Sequence, residues 1–281
     1  MSDAHGSSLT PTLSISIVVY FPDPAWLRST LESLVSALAN ARHEGAMRRA
    51  KICLVDNQSI SSTSPFSLPL DTACKDFGWI ETVVIAGQGN IGYGRANNLA
   101  IARCTEFDFH LVLNPDVKLA EDAITNALRY LQQHPDCAMV SPVATAPDGQ
   151  PLYLVKRFPG IFTLALRGFA PSWIKQRFRA RLDAYERKEM PYDATLTDVV
   201  IASGCFMLIR SNALVRTGGF DPAFFLYFED FDLSYRIGKF ASIARVGNVR
   251  IVHAGGNTAG KNMRHIWLFV RSALRFHRKH G

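Results

Sequence analysis

FHLVLNPDVKL, residues 109–119, runs apolar and then stops at Asn114-Pro115-Asp116. Leu111, Val112 and Leu113 read as a strand buried on both faces. Pro115 has no N–H to give to a ladder, so it ends the strand. Asp116 is thereby left at the strand's carboxyl end, the edge at which open α/β sheets bind ligands. Asn-Pro-Asp is also good turn chemistry. The stretch alone leaves both readings open, and the chain around it has to decide.

Working outward, strand and helix patterns alternate from residue 13 to residue 133. LSISIVVY (13–20) reads as a first strand. PAWLRSTLESLVSALANA (24–41) sets Leu27, Leu31, Leu34, Val35 and Leu38 at helical spacing. AKICLVDNQS (50–59) is a second strand ending at Asp56-Asn57, WIETVVIAG (79–87) a third, YGRANNLAIARC (93–104) a helix, and 109–116 a fourth strand followed by a helix from about Leu119 to Gln133. The alternation predicts an α/β fold with a Rossmann-like, mostly parallel central sheet flanked by helices. CAMVSPVAT (137–145), VVIASGCFMLIR (199–210) and ASIARVGNVRIVHAGG (241–256) add further strands, expected to extend or cap the same sheet.

The composition is that of a soluble globular chain: 281 residues, 48% hydrophobic and 20% charged. The start, MSDAHGSSLTPT, has neither a basic nor an apolar signal region and reads as a disordered lead-in over residues 1–12. Five scattered cysteines without a CxxC pair suggest neither a disulfide framework nor a zinc knuckle, and fit a reduced, cytoplasmic protein. The net charge of +7 is uneven. Lys156 to Lys188 holds nine Lys/Arg against Asp183 and Glu186, and Lys261 to Gly281 holds six and no acid. Such stretches point to an anionic partner: nucleic acid, a phosphorylated substrate or a membrane surface.

Three groups of residues carry chemistry. Asp56 ends its strand on the same edge as Asp116 and could accept from the ring N–H of a base; a turn or helix-cap role is the competing reading. GQGNIGYGRANN (87–98) matches G-x-G-x-x-G at Gly87, Gly89 and Gly92, but after the third strand, where a dinucleotide fingerprint follows the first. YFEDFDLSYR (227–236) sets Glu229, Asp230 and Asp232 among phenylalanines, where burial or a nearby cation would tune a general base. His253 ends an apolar strand and could join Asp116 in an oxygen-and-imidazole metal site.

Taken in order, ISIVVYFPD, VDNQS, GNIGYGRANN, LNPDV, KRFPGIFTLALRG, SGCFMLIR, GGFDPAFFLYFEDFDLSYR and VHAGG resemble the family 2 inverting glycosyltransferases of GT-A fold, within them bacterial rhamnosyltransferases that use dTDP-rhamnose. The resemblance spans about residues 14 to 256. It implies one catalytic domain over 13–260, with a nucleotide-sugar half (13–120) and an acceptor half (121–260). It implies that Tyr20 and Asp56 line the base pocket, that Asn90, Gly92, Arg95, Asn98 and Asn114 border the sugar nucleotide, that Asp116 and His253 hold Mg2+ or Mn2+, and that Asp230 is the catalytic base. It also implies a glycan or lipid-linked glycan acceptor and no nucleic-acid partner. One departure is that Asn114 stands where the family's DxD motif has its first Asp, which removes a charge beside the diphosphate.

Two other classes compete. A sugar-nucleotide nucleotidyltransferase would share sheet and metal, but carries a Gly-rich, Lys/Arg-bearing loop after its first strand, where this chain reads YFPDPAW. An NAD(P)-binding enzyme would rest on the displaced glycine pattern alone. Residues 261–281 form a basic amphipathic helix with Ile266, Phe269, Val270, Ala273 and Leu274 on one face; it can lie peripherally on the anionic inner face of a membrane or dock on the protein's own core.

Overall fold

The computed structural model describes residues 10–255 and 263–281. Its first half is built of β1 (Thr12–Val19), α1 (Pro24–His43), β2 (Arg49–Asp56), α2 (Ser67–Cys74), β3 (Ile80–Ile85), α3 (Tyr93–Ile101) and β4 (Phe109–Leu113). All residues of β1 and β4 are buried, as strands covered on both faces must be. β1 pairs in parallel with β2 on one side and β4 on the other, and β2 with β3. Asp23 caps α1, its Oδ1 accepting from Ala25 N (2.9 Å) and Trp26 N (3.0 Å), and Pro24 follows at a position where no N–H is needed. Leu27, Leu31, Leu34, Val35 and Leu38 all face the core.

Polar groups inside this half are paired. His110 on β4 lies 2.8 Å from Ser14 Oγ through Nδ1 and 3.0 Å from Ser16 Oγ through Nε2, and Ser16 donates to Asn97 on α3 at 2.6 Å. Burial pushes the His110 imidazole down to about 3, so at neutral pH it is an uncharged tie between β1 and β4.

Beyond β4 the structure corrects the expected helix from Leu119. Val117, Lys118 and Leu119 form a short strand, β5 (Val117–Leu119), and the helix, α4 (Ala123–Gln133), starts after it. The reason is tertiary: β5 pairs antiparallel with β11 (Ser242–His253). Between them come β6 (Cys137–Thr145), β7 (Pro151–Leu152), β8 (Val155–Lys156), α5 (Ile161–Phe169), α6 (Ser172–Arg177), α7 (Arg179–Tyr185), β9 (Ile201–Ala202), β10 (Phe206–Arg210), α8 (Ser211–Thr217) and α9 (Glu229–Gly238). The expected single strand 199–210 is two: β9 joins β8 in a small second sheet, and β10 enters the main one. The main sheet runs β3-β2-β1-β4-β10-β6-β11-β5, with β7 beside β6. It is parallel through β4; β10 lies antiparallel between β4 and β6, and β11 returns parallel to β6.

The last helix, α10 (Met263–His280), docks on the core through Leu268, Ser272 and Phe276. Phe276 packs with Phe224, Phe228, Ile201 and Leu164. Asp232, fully buried on α9, meets Arg236 Nε at 2.6 Å, Lys279 Nζ at 2.7 Å and His280 Nε2 at 2.7 Å, so α10 is latched to α9. The apolar face expected of this helix is thus divided. Phe269 and Ala273 pack inward, while Trp267, Val270 and Leu274 stay exposed. Among the described residues no helix is long and apolar enough to cross a membrane.

Candidate active site

The loops after β1, β2 and β3 form one wall. Tyr20 is half exposed and meets Phe21 edge-on, ring centroids 4.8 Å apart. Asp56 is fully buried. Its Oδ1 accepts from Gln58 N (3.1 Å) and Ser59 N (3.2 Å), and its Oδ2 from the Ser64 hydroxyl (2.7 Å). The turn role is therefore filled, and the carboxylate still has lone-pair capacity for one more donor. Asn57 binds Asn90 Oδ1 (3.2 Å) and Ile91 N (3.1 Å), and Asn90 Oδ1 accepts from Gly92 N (3.1 Å), which fixes the glycine-rich loop against the end of β2.

Gly92 has φ +89°, and a Cβ there would stand 2.4 Å from Phe225 O, so no side chain fits. Arg95 and Asn98, one and two turns further along α3, turn toward the 220–222 segment. Arg95 Nε donates to Pro222 O at 2.7 Å, and Asn98 clamps the backbone of Phe220 with bonds of 2.8 and 2.9 Å.

At the end of β4, Asn114 Oδ1 lies 2.9 Å from the Tyr93 hydroxyl, which is also 2.8 Å from Gly204 O. Asp116 and His253 are brought together by sheet register, because β11 pairs His253 with Val117. Asp116 Oδ1 and His253 Nε2 face each other at 3.3 Å. Both atoms are buried and neither has a hydrogen-bond partner, so the approach is charge facing charge without an aligned bond. Burial alone would lower the imidazole's pKa; the Asp116 carboxylate and the Cys205 sulfur beside it outweigh that and push it up to about 10. Two ligands at about 2.1 Å and at right angles around one cation stand about 3 Å apart, so the pair suits a divalent ion once the imidazole gives up its proton, which a bound cation would displace. Among the described residues no group of three or more His, Cys, Asp or Glu is arranged for a metal.

Asp230 opens α9. Its Oδ2 accepts from Gly204 N (2.9 Å) and its Oδ1 from Phe231 N (2.9 Å). Gly204 packs closely here: a Cβ would be 3.2 Å from Asp230 Cβ, so Asp230 would have to shift by a few tenths of an ångström. The two residues before the acidic cluster, Tyr227 and Phe228, have φ +68° and +67°, a left-handed conformation that bulky side chains rarely adopt. Strain of this kind gathers at functional sites.

The three carboxylates then separate by environment. Asp232 is consumed by the latch to α10. Glu229 is buried with Oε2 unpartnered, and burial followed by the neighbouring Asp230 charge raises its pKa. Asp230 is only partly covered; burial raises its pKa too, opposed by the Gly204 N–H and the Lys156 ammonium. Asp230 is thus the carboxylate with both solvent access and a rigid seat.

Lys156, Tyr93 and Gly204 were not singled out by the sequence. Lys156 is buried near Asp230, and burial and Arg167 bring its pKa down to about 8. Burial holds the Tyr93 phenol far above its usual range. The only hint was SGC, a glycine interrupting an apolar strand. Two concavities lie against α10: a groove of about 670 Å3 and a pocket of about 310 Å3.

Residues 14–218 match the model of the glycosyl transferase family 2. The chain is 25% identical over 268 residues to an N-acetylglucosaminyl-diphospho-decaprenol L-rhamnosyltransferase of Mycobacterium tuberculosis, covering 90% of this chain and 80% of that one. It is 28% identical over 200 residues to the rhamnosyltransferase WbbL of Escherichia coli, covering 66% of each. Among solved structures it resembles the mannosyltransferase PcManGT of Pyrobaculum calidifontis in complex with GDP-Man and Mn2+ (TM-score 0.59, 16% identity, 92% of this chain and 60% of that one). It also resembles GalNAc-T7 with UDP, GalNAc and Mn2+ (TM-score 0.59, 14% identity, 87% and 43%). The α/β architecture is that of the GT-A glycosyltransferases.

Proposed function

The chain belongs to glycosyl transferase family 2, and from that premise we propose that it moves L-rhamnose from dTDP-L-rhamnose, with inversion, onto a hydroxyl of a lipid-linked glycan at the cytoplasmic face of an anionic membrane. That it transfers sugar in polysaccharide synthesis follows from the family and its rhamnosyltransferase relatives. The observation that carries the finer reading is one sheet edge with two unlike acidic sites. Asp116 with His253 forms an orphaned oxygen-nitrogen pair, and Asp230 is seated on Gly204 N as a lone, partly open carboxylate.

Asp116 and His253 would hold Mg2+ or Mn2+, which when bound supplies positive charge to a leaving nucleoside diphosphate. Tyr20 and Asp56 would receive the base, with Asn90, Gly92 and Asn114 along the diphosphate and sugar. Asp230 takes the proton of the acceptor hydroxyl as that oxygen bonds to the anomeric carbon, and the bond from that carbon to the diphosphate oxygen breaks with its electron pair on the departing dTDP. A single displacement from the opposite face inverts the centre. The mycobacterial relative's name specifies both rhamnosyl transfer and a sugar carried on a diphospho-decaprenol, which supports the donor and acceptor classes assigned here.

The test is incubation of the purified chain with dTDP-rhamnose, UDP-, GDP- and other dTDP-sugars plus Mn2+, scoring slow donor hydrolysis. dTDP-rhamnose should be consumed at least tenfold faster than the rest. Preference for a UDP- or GDP-sugar would overturn the donor assignment.

A further inference from the structure

We propose that the pocket between α3 and α10 binds the diphosphate of the lipid-linked acceptor, an inference that rests on the acceptor reading above and gives it a site. Four arginines from two elements border it: Arg95 on α3, and Arg264, Arg271 and Arg275 on α10. Among the described residues none of the four is within ion-pair distance of a carboxylate, and no acid lines the pocket. Several other basic side chains of the second half do have acidic partners: Arg157 with Glu189, Lys188 with Asp183 and Glu186, Lys279 with Asp221 and Asp232. Guanidinium groups gathered around one concavity without counter-charge repel one another, and a ligand bearing two phosphates relieves that while using their planar donor forks.

The surroundings suit a lipid as the bearer of those phosphates. Trp267 borders both the pocket and the adjoining groove of about 670 Å3, where exposed Val270 and Leu274 continue an apolar stripe on the outer side of α10. Aromatic and aliphatic side chains flanked by arginines suit the boundary between headgroups and acyl chains.

The position relative to the glycine-rich loop then selects a diphosphate-linked sugar over headgroups in general. Phe225 lines the pocket, and its carbonyl accepts from Tyr93 N at 3.1 Å beside Gly92. One residue therefore separates the arginines from the loop assigned to the donor. An acceptor sugar attached directly to a diphosphate could present its hydroxyl across that residue while its phosphates stay among the arginines and its chain follows the α10 stripe.

The experiment uses the full chain and sedimentation with neutral phosphatidylcholine vesicles, alone, doped with undecaprenyl diphosphate, or doped with phosphatidylglycerol to the same surface charge. Wild type should bind the diphosphate-doped vesicles at least tenfold more tightly than either other set. Replacing Arg264, Arg271 and Arg275 together by Gln should weaken that binding roughly 10²-fold. These side chains are exposed, so the variant should melt with wild type; a second variant with all three as Lys, which keeps charge and loses the forks, should fall between. Equal binding by wild type and the Gln variant overturns the proposal. So does equal binding of wild type to the two charged vesicle sets, which would make α10 a general anionic-surface helix. Donor hydrolysis by wild type, measured without lipid, tests the transferase assignment separately.

Discussion

Asp230 is the residue on which the proposed chemistry turns. Asp230→Asn keeps the size and one of the two backbone seats, since its amide nitrogen cannot accept from an N–H, while removing the proton acceptor. Transfer should fall at least about 10²-fold, the lower end for loss of a general base. Calorimetric affinity for dTDP with Mn2+ should hardly change, because the base meets the acceptor; lost dTDP binding would move Asp230 to the donor side. Asp116→Ala should instead abolish Mn2+-dependent dTDP binding, and EDTA should abolish transfer with Mg2+ or Mn2+ restoring it. Full activity in EDTA would remove the metal role from Asp116 and His253. His110 gives a pH prediction independent of catalysis. Its folded pKa of about 3 lies below the ordinary 6.5, so as pH falls the unfolded chain takes the proton first. Stability is whole above pH 6.5 and declines between 6.5 and 3, by a few kcal/mol at most. In His110→Gln the slope of unfolding free energy against pH over 6 to 4 should flatten; an unchanged slope would assign the acid limb to other groups.

At the scale of elements, what was legible followed periodicity. α1 shows its five apolar positions at helical spacing, and β1, β2 and β4 are long apolar runs, so sequence and structure agree there. β5 was read as the start of a helix because Val117-Lys118-Leu119 is too short for any period to register; its strand character comes from β11, far away in the chain. The break between β9 and β10 is hidden in the apolar run 199–210, and only a close approach by Asp230 explains the glycine at 204. The same limit applied to residues. Asp116 and His253 stood out as polar groups at strand ends, and the resemblance singled out Asp230 from its acidic cluster. Lys156 and Glu229 differ from other charges only through burial, which sequence does not display. The latch between α9 and α10 was not legible: Asp232 and Arg236 pair within α9, while Lys279 and His280 arrive by tertiary packing. Asp232→Ala takes the carboxylate from His280 and leaves Lys279 with Asp221 alone and Arg236 with backbone carbonyls, and should cost roughly 3 kcal/mol, the low end for removing one partner of a buried ion pair. A thermal melt should drop on the order of 10 °C; a shift below about 2 °C would mean the latch contributes nothing.

At the scale of the whole molecule, a net charge of +7 faces a polyanionic donor and, by our reading, a polyanionic acceptor. The apparent KM for dTDP-rhamnose should rise several-fold between 50 and 500 mM salt, as screening shortens the reach of the field; a salt-independent KM would confine the electrostatics to direct contacts. The sheet order also has a consequence in time. β1 to β4, with the loops assigned to the nucleotide, form a contiguous opening stretch of the chain. β10 must then slip between β4 and β6, and β11 must lie down between β6 and β5 before His253 can stand against Asp116. Asp230 arrives just ahead of β11, and α10 last of all. During synthesis at about 5–20 residues per second, the loops assigned to the nucleotide therefore emerge seconds before Asp230 and His253. By our reading a chain cut short within that window lacks both the base and half of the metal pair, and should not hydrolyse nucleotide sugar.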